Sequence, residues 1–202
     1  MRGLDPSSAV AAEIFLVRHG RSAHVHAGWI DLQGFHRWRE AYEAAGILAG
    51  EVPPPELRVL AERAGAVAAS DAARAVESAR LLAPERDVLT SPLLRELDLP
   101  PPALHGWRLP LAGWALAYGV RWLSGSLASP AEVARAREAA EWLTGISREH
   151  GAVVAVTHAS FRGLLARSLA DEGWFCGTRT RRSPHWSTWR FSRGVSASPQ
   201  GL

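Results

Sequence analysis

Four short apolar runs, at 14–17, 67–69, 88–90 and 153–156, recur along the chain without the polar alternation of a half-exposed strand. Unbroken runs of this length are the mark of strands buried on both faces, as in a parallel sheet. Between them, apolar residues return at helical spacing over about 36–48, 56–64, 72–83 and 160–171. The tetrapeptide Ser129-Pro130-Ala131-Glu132 sets a capping serine, a proline at the first helical position and a glutamate able to reach back, so a long helix is expected to begin there and stop near Gly151. Residues 186–191 alternate and read as a final edge strand. Strands alternating with helices predict a three-layer α/β/α sandwich around a mainly parallel central sheet. The pattern holds from 13 to 192 as one domain, with an irregular insertion at about 99–128. The small and polar ends, 1–12 and 193–202, are expected to fray.

Composition narrows the partners. Every one of the 23 basic residues is arginine, which gives a pI near 9.9 on a formal charge of only +3. Arginine forks suit phosphate and carboxylate oxygens. No basic run exceeds Arg181-Arg182, however, and nucleic acid is not the expected partner. A small phosphorylated molecule is. The single cysteine, Cys176, leaves no internal disulfide and fits a reducing compartment. With no signal-peptide pattern, and with the apolar run 109–120 too short to span a bilayer, a soluble cytoplasmic protein without membrane insertion is expected.

The candidate chemistry lies where the strands end. In parallel sheets, ligands gather beyond the carboxyl ends of the strands, among loops and helix N-termini. Arg18 and His19 follow the first run, Ser70 and Arg74 the second, and Thr157 and His158 the fourth, with Ser160 placed to cap the next helix. Two arginines and two histidines are thus expected on one sheet edge, where they would suit a phosphoryl group.

Leu16-Val17-Arg18-His19-Gly20, then Ser-x-x-x-Arg-Ala-x-x-Ser-Ala over 70–79, then a late strand ending in His158, together resemble the histidine phosphatase superfamily, which includes the cofactor-dependent phosphoglycerate mutases. The similarity covers about 13–98 and 150–192. It implies a phosphoglycerate mutase-like fold and a phosphatase that forms a phosphohistidine on His19, with Arg18, Arg74 and His158 holding the phosphate and Ser22 beside them. Glu96 stands where many members keep their proton donor. The sequence after it, Asp98-Leu99-Pro100-Pro101-Pro102, departs from the family pattern and makes Asp98 a rival. Chemically, an imidazole attacks only when neutral, and flanking arginines penalise its protonated form. The scheme calls for no cofactor or metal. Alternative readings are mutase-type transfer, phosphohistidine protein dephosphorylation, or phosphate-ligand binding without turnover.

Other features remain open. His24 and His26 share a face of an extended segment and allow a weak metal reading, and Val25 replaces the family's asparagine. Trp107, Leu111, Trp114, Tyr118 and Trp122 would line one helical face, with Pro110 at or before its start. That stripe can serve as core, as a cap that selects an apolar leaving group, as a homodimer face, or as a shallow membrane contact. Arg179, Arg181 and Arg182 are either solvated or a grip for a second anionic group.

Overall fold

The computed structural model describes residues 12–25, 28–98, 104–123, 128–179 and 183–193, with side chains from 118 to 123 excepted. In chain order these form β1 (Glu13–Arg18), β2 (Trp29–Ile30), α1 (Leu32–Ala44), α2 (Pro55–Arg63), β3 (Ala66–Ser70), α3 (Ala73–Leu82), β4 (Val88–Ser91), β5 (Leu109–Pro110), α4 (Leu111–Leu123), α5 (Pro130–His150), β6 (Ala152–Thr157), α6 (Ala159–Asp171), β7 (Phe175–Thr178) and β8 (Thr188–Ser192).

The central sheet runs β4-β3-β6-β1-β8-β7. Its first four strands are parallel, and β8 is antiparallel to β1. The expected α/β sandwich is therefore the observed one. Strand periodicity sends alternate side chains to opposite faces. Ile14, Leu16, Val153, Ala155, Ala66 and Ala68 meet α5 and α6, whereas Phe15, Val17, Val154, Val156, Val67 and Ala69 meet α2 and α3. Because both faces are covered, the inner strands read as continuous apolar runs.

Three expectations need correction. The alternating segment 186–191 is not an edge strand: β8 starts at Thr188 and lies between β1 and β7, which takes the edge. Its alternation survives because Trp189 and Phe191 enter the core while Arg190 lies outside, paired with Glu13. Helix α1 begins at Leu32, four residues before the expected start, because Asp31 accepts the Gly34 N–H at 2.7 Å and fixes its first turn. Third, Ser160 does not cap α6: the N-cap is His158, which makes no side-chain capping bond. The long helix does start where expected, with Ser129 accepting from the Glu132 N–H, and it ends at Gly151 in a left-handed conformation with φ 80°.

The insertion forms a small annex. Strands β2 and β5 pair, and Trp114 of α4 is fully buried, stacked on Phe35 of α1 at 4.7 Å and donating Nε1–H to the Ile30 carbonyl. For Trp114 the core reading therefore holds. Trp107, by contrast, is 62% exposed. The side chains of Tyr118 and Trp122 lie outside the described residues, as do 1–11 and 194–202. No described helix is long and apolar enough to cross a membrane.

Candidate active site

The sheet order places β1, β6 and β3 side by side, so their carboxyl ends deliver His19, His158 and Ser70 to one edge. His19 is buried, and its Nδ1 lies 2.7 Å from the Gly20 carbonyl oxygen. A carbonyl only accepts, so Nδ1 carries the proton and Nε2 keeps its lone pair. Burial holds the His19 pKa down to about 3, with the Gly20 bond opposing the shift and Arg74, Arg18 and His185 adding to it. The imidazole is therefore neutral throughout the physiological range.

Arg74, on the first turn of α3, is fully buried. Its Nη2 lies 3.2 Å from His158 Nδ1 and contacts both Glu43 carboxylate oxygens, at 3.1 and 3.2 Å. Its Nη1 donates to the carbonyls of Tyr42 and Glu43 at the end of α1. Since arginine only donates, His158 Nδ1 is an acceptor and its Nε2–H points to Ser70 Oγ, 3.0 Å away. Burial, helped by Arg74, lowers the His158 pKa well below the ordinary histidine value, so this ring is also neutral. The two rings meet edge to face with centroids 5.0 Å apart. The Tyr42 ring covers the Arg74 guanidinium at 4.5 Å.

Glu96 follows a short turn after β4. One carboxylate oxygen accepts from the N–H groups of Phe161 and Leu97 at 2.8 and 3.0 Å, and the other from Ser160 at 3.3 Å. It thus caps the start of α6, the duty expected of Ser160. Burial raises its pKa above the usual carboxylate value, while those three backbone bonds and Arg74 pull the other way. Asp98, the rival acid, pairs with Arg39 with its side chain 82% exposed. Of the two, Glu96 is the one at the sheet edge.

A loop before β8 clamps the end of β1. Ser187 accepts the Arg18 N–H and Trp186 donates to the Arg18 carbonyl, while the Arg18 guanidinium donates to the Ser183 carbonyl. His185 Nδ1 donates to the His19 carbonyl at 3.0 Å, and the two rings lie 5.5 Å apart. Trp186 adopts a left-handed backbone, φ 63°, uncommon for so bulky a residue, and is held there by its Nε1–H bond to Glu51. Arg21 donates to the same carboxylate through its backbone N–H and Nε. Burial pushes the Glu51 pKa up, but these three donors outweigh it and lower it overall. Arg162, fully buried in α6, ties the loop from the other side through Ser183, Ser187 and the Leu16 carbonyl, with its guanidinium stacked on Trp189.

No protein-family model matches the chain, and no curated protein does. Among solved structures, it superposes on the ecdysone phosphate phosphatase of Bombix mori, solved with tungstate, over 94% of this chain and 96% of that one, with a TM-score of 0.53 at 13% identity. The chain shares that protein's phosphoglycerate mutase-like fold. Phosphoserine phosphatase from Entamoeba histolytica also aligns, at 13% identity over 91% of this chain and 98% of that one, TM-score 0.47. So does a mycobacterial glucosyl-3-phosphoglycerate phosphatase, at 19% identity over 80% of each chain, TM-score 0.45.

Within this fold, the structure brings Arg18, His19, Arg74, His158 and Glu96 together at one sheet edge. The Ser22 hydroxyl accepts the His24 N–H at 3.2 Å within its own loop. Among the described residues no cluster of metal ligands forms, and His26 lies outside them. Arg179 stacks on Trp189 at 4.5 Å, while Arg181 and Arg182 lie outside the described residues. Sequence reasoning missed Tyr42, Glu51, Arg162, His185 and Trp186. Two of these had a readable signal: Phe35, Trp38 and Tyr42 share one helical face, and Arg162 sits four residues after His158.

Proposed function

We propose that this protein is a histidine phosphatase, hydrolysing phosphate monoesters through a phosphohistidine on His19. The observation that carries this reading is the His19 Nδ1–H bond to the Gly20 carbonyl, which leaves Nε2 as an unprotonated nucleophile beside two arginines. Nε2 attacks phosphorus, the ester oxygen departs, and Arg18, Arg74 and His158 stabilise the charge on the transferring oxygens. Glu96, its pKa raised by burial, protonates the leaving oxygen. As carboxylate it then takes a proton from the water that cleaves the phosphohistidine. Hydrolysis of phenyl phosphate by the wild type, with an acid-labile, base-stable phosphoenzyme trapped on quenching, is the expected result. His19→Ala should abolish both. Glu96→Gln should lower kcat on an alkyl phosphate by about 10²–10⁴-fold and on an acidic phenol ester by much less. Turnover that persists in His19→Ala would remove the reading.

A further inference from the structure

Beside the phosphate residues runs a wall of aromatic rings that the phosphoryl chemistry leaves unused. From the pocket outward, Tyr42 stacks on Trp38 at 5.1 Å, Trp38 on Phe35 at 5.7 Å, and Phe35 on Trp114 at 4.7 Å. Its inner end is part of the anion site, because the Tyr42 ring covers Arg74 at 4.5 Å. Its outer end is anchored in the annex, where Phe35 and Trp114 are buried. Between these ends, Tyr42 and Trp38 are only half-buried. Facing Trp38, with ring centroids 6.1 Å apart, is His24 from the loop that follows His19.

Two polar atoms in this wall, Trp38 Nε1 and His24 Nε2, are shielded from solvent and have no hydrogen-bond partner among the described residues. Buried donors and acceptors are nearly always paired, so two neighbouring exceptions beside a reactive site call for an explanation. An indole N–H only donates, whereas an imidazole nitrogen takes either role. A ligand oxygen that reached either atom would satisfy it.

We propose that Trp38, Tyr42 and His24 form the leaving-group subsite, selecting phosphate monoesters of flat aromatic alcohols that carry a further hydroxyl or carbonyl oxygen. The proposal rests on the phosphatase reading for its direction: the phosphate lies on Arg18 and Arg74, so the alcohol must extend along the adjoining surface, and Tyr42 makes that surface aromatic. A planar ring packs along the half-buried side of the Tyr42–Trp38 pair, and its oxygen accepts from Trp38 Nε1–H or pairs with His24 Nε2.

The test uses inert phosphonates, so that binding is read apart from turnover. Dissociation constants for benzylphosphonate, 4-hydroxybenzylphosphonate and ethylphosphonate are measured by calorimetry on wild type, Trp38→Ala and Trp38→Phe. In the wild type, benzylphosphonate should bind about tenfold more tightly than ethylphosphonate, the order expected for one stacked aromatic face, and the 4-hydroxy compound more tightly still. Trp38→Ala should erase the aryl preference while leaving ethylphosphonate affinity within about twofold. Trp38→Phe should keep the preference and lose only the gain from the hydroxyl. Equal wild-type affinities for the aryl and ethyl compounds, or no binding of either, would overturn the subsite even if Trp38→Ala failed to fold. Aryl preference without phenyl phosphate turnover would instead sink the phosphatase reading and leave the subsite standing.

Discussion

His19 couples the chemistry of the site to the stability of the fold. In an unfolded chain its pKa is near the ordinary ~6.5, whereas burial in the folded state holds it at about 3. Between these values the unfolded chain binds a proton that the folded chain does not, so stability is lost as pH falls through this window, at up to about 1.4 kcal/mol per pH unit. His158 acts in the same direction. The urea midpoint should therefore drop between pH 7 and about pH 4.5, and drop less in His19→Asn. Glu43 makes a second residue-level prediction. Its carboxylate contacts Nη2 of Arg74 through both oxygens, so an incoming phosphate must compete with an anion already in place. Glu43→Gln should tighten competitive inhibition by inorganic phosphate several-fold. If Glu43 merely orients Arg74, inhibition would weaken instead.

The elements of the annex and the loop before β8 divide the work of holding the site. Helix α1 carries Trp38 and Tyr42, and it is fastened to α4 by the fully buried Trp114. Trp114→Ala should cost about 3–5 kcal/mol, measured by chemical denaturation, and should raise KM by loosening α1. The exposed Trp107 is expected to change stability by less than about 0.5 kcal/mol when replaced by alanine, and KM not at all. That contrast separates an anchored wall from a mobile cap. These elements also show what could be read beforehand. The parallel strands and α5 were legible because continuous burial and a capping motif are local signals. Glu96 as the cap of α6, and β8 inside the sheet, were not, because each depends on a partner distant in sequence: Phe161 accompanies Glu96 only once the sheet has formed. The core of the pocket was legible because Arg18, His19, Arg74 and His158 each follow a strand that could be recognised. The bond from the His24 N–H to Ser22 was not legible, because a loop hydroxyl can pair with any of several nearby backbone groups.

Across the whole molecule, β1, which ends beside His19, is flanked by two strands from far later in the chain, β6 and β8. Glu13 faces Ala152 on one side and Ser192 on the other. Such pairings demand long loop closures, which slow folding. They also impose an order of assembly: during synthesis, β1 emerges first and waits for the last strand before its hydrogen bonds on that side can form. A chain truncated before residue 183 would lack His185 and Trp186 along with β8, leaving Arg18 and His19 unclamped. Such a fragment, tested by proteolysis and by phenyl phosphate hydrolysis, should be protease-sensitive and inert although it carries every residue of the phosphate pocket. In that outcome the final strand would work as a built-in completeness check, assembling the His19 site only in chains made through β8.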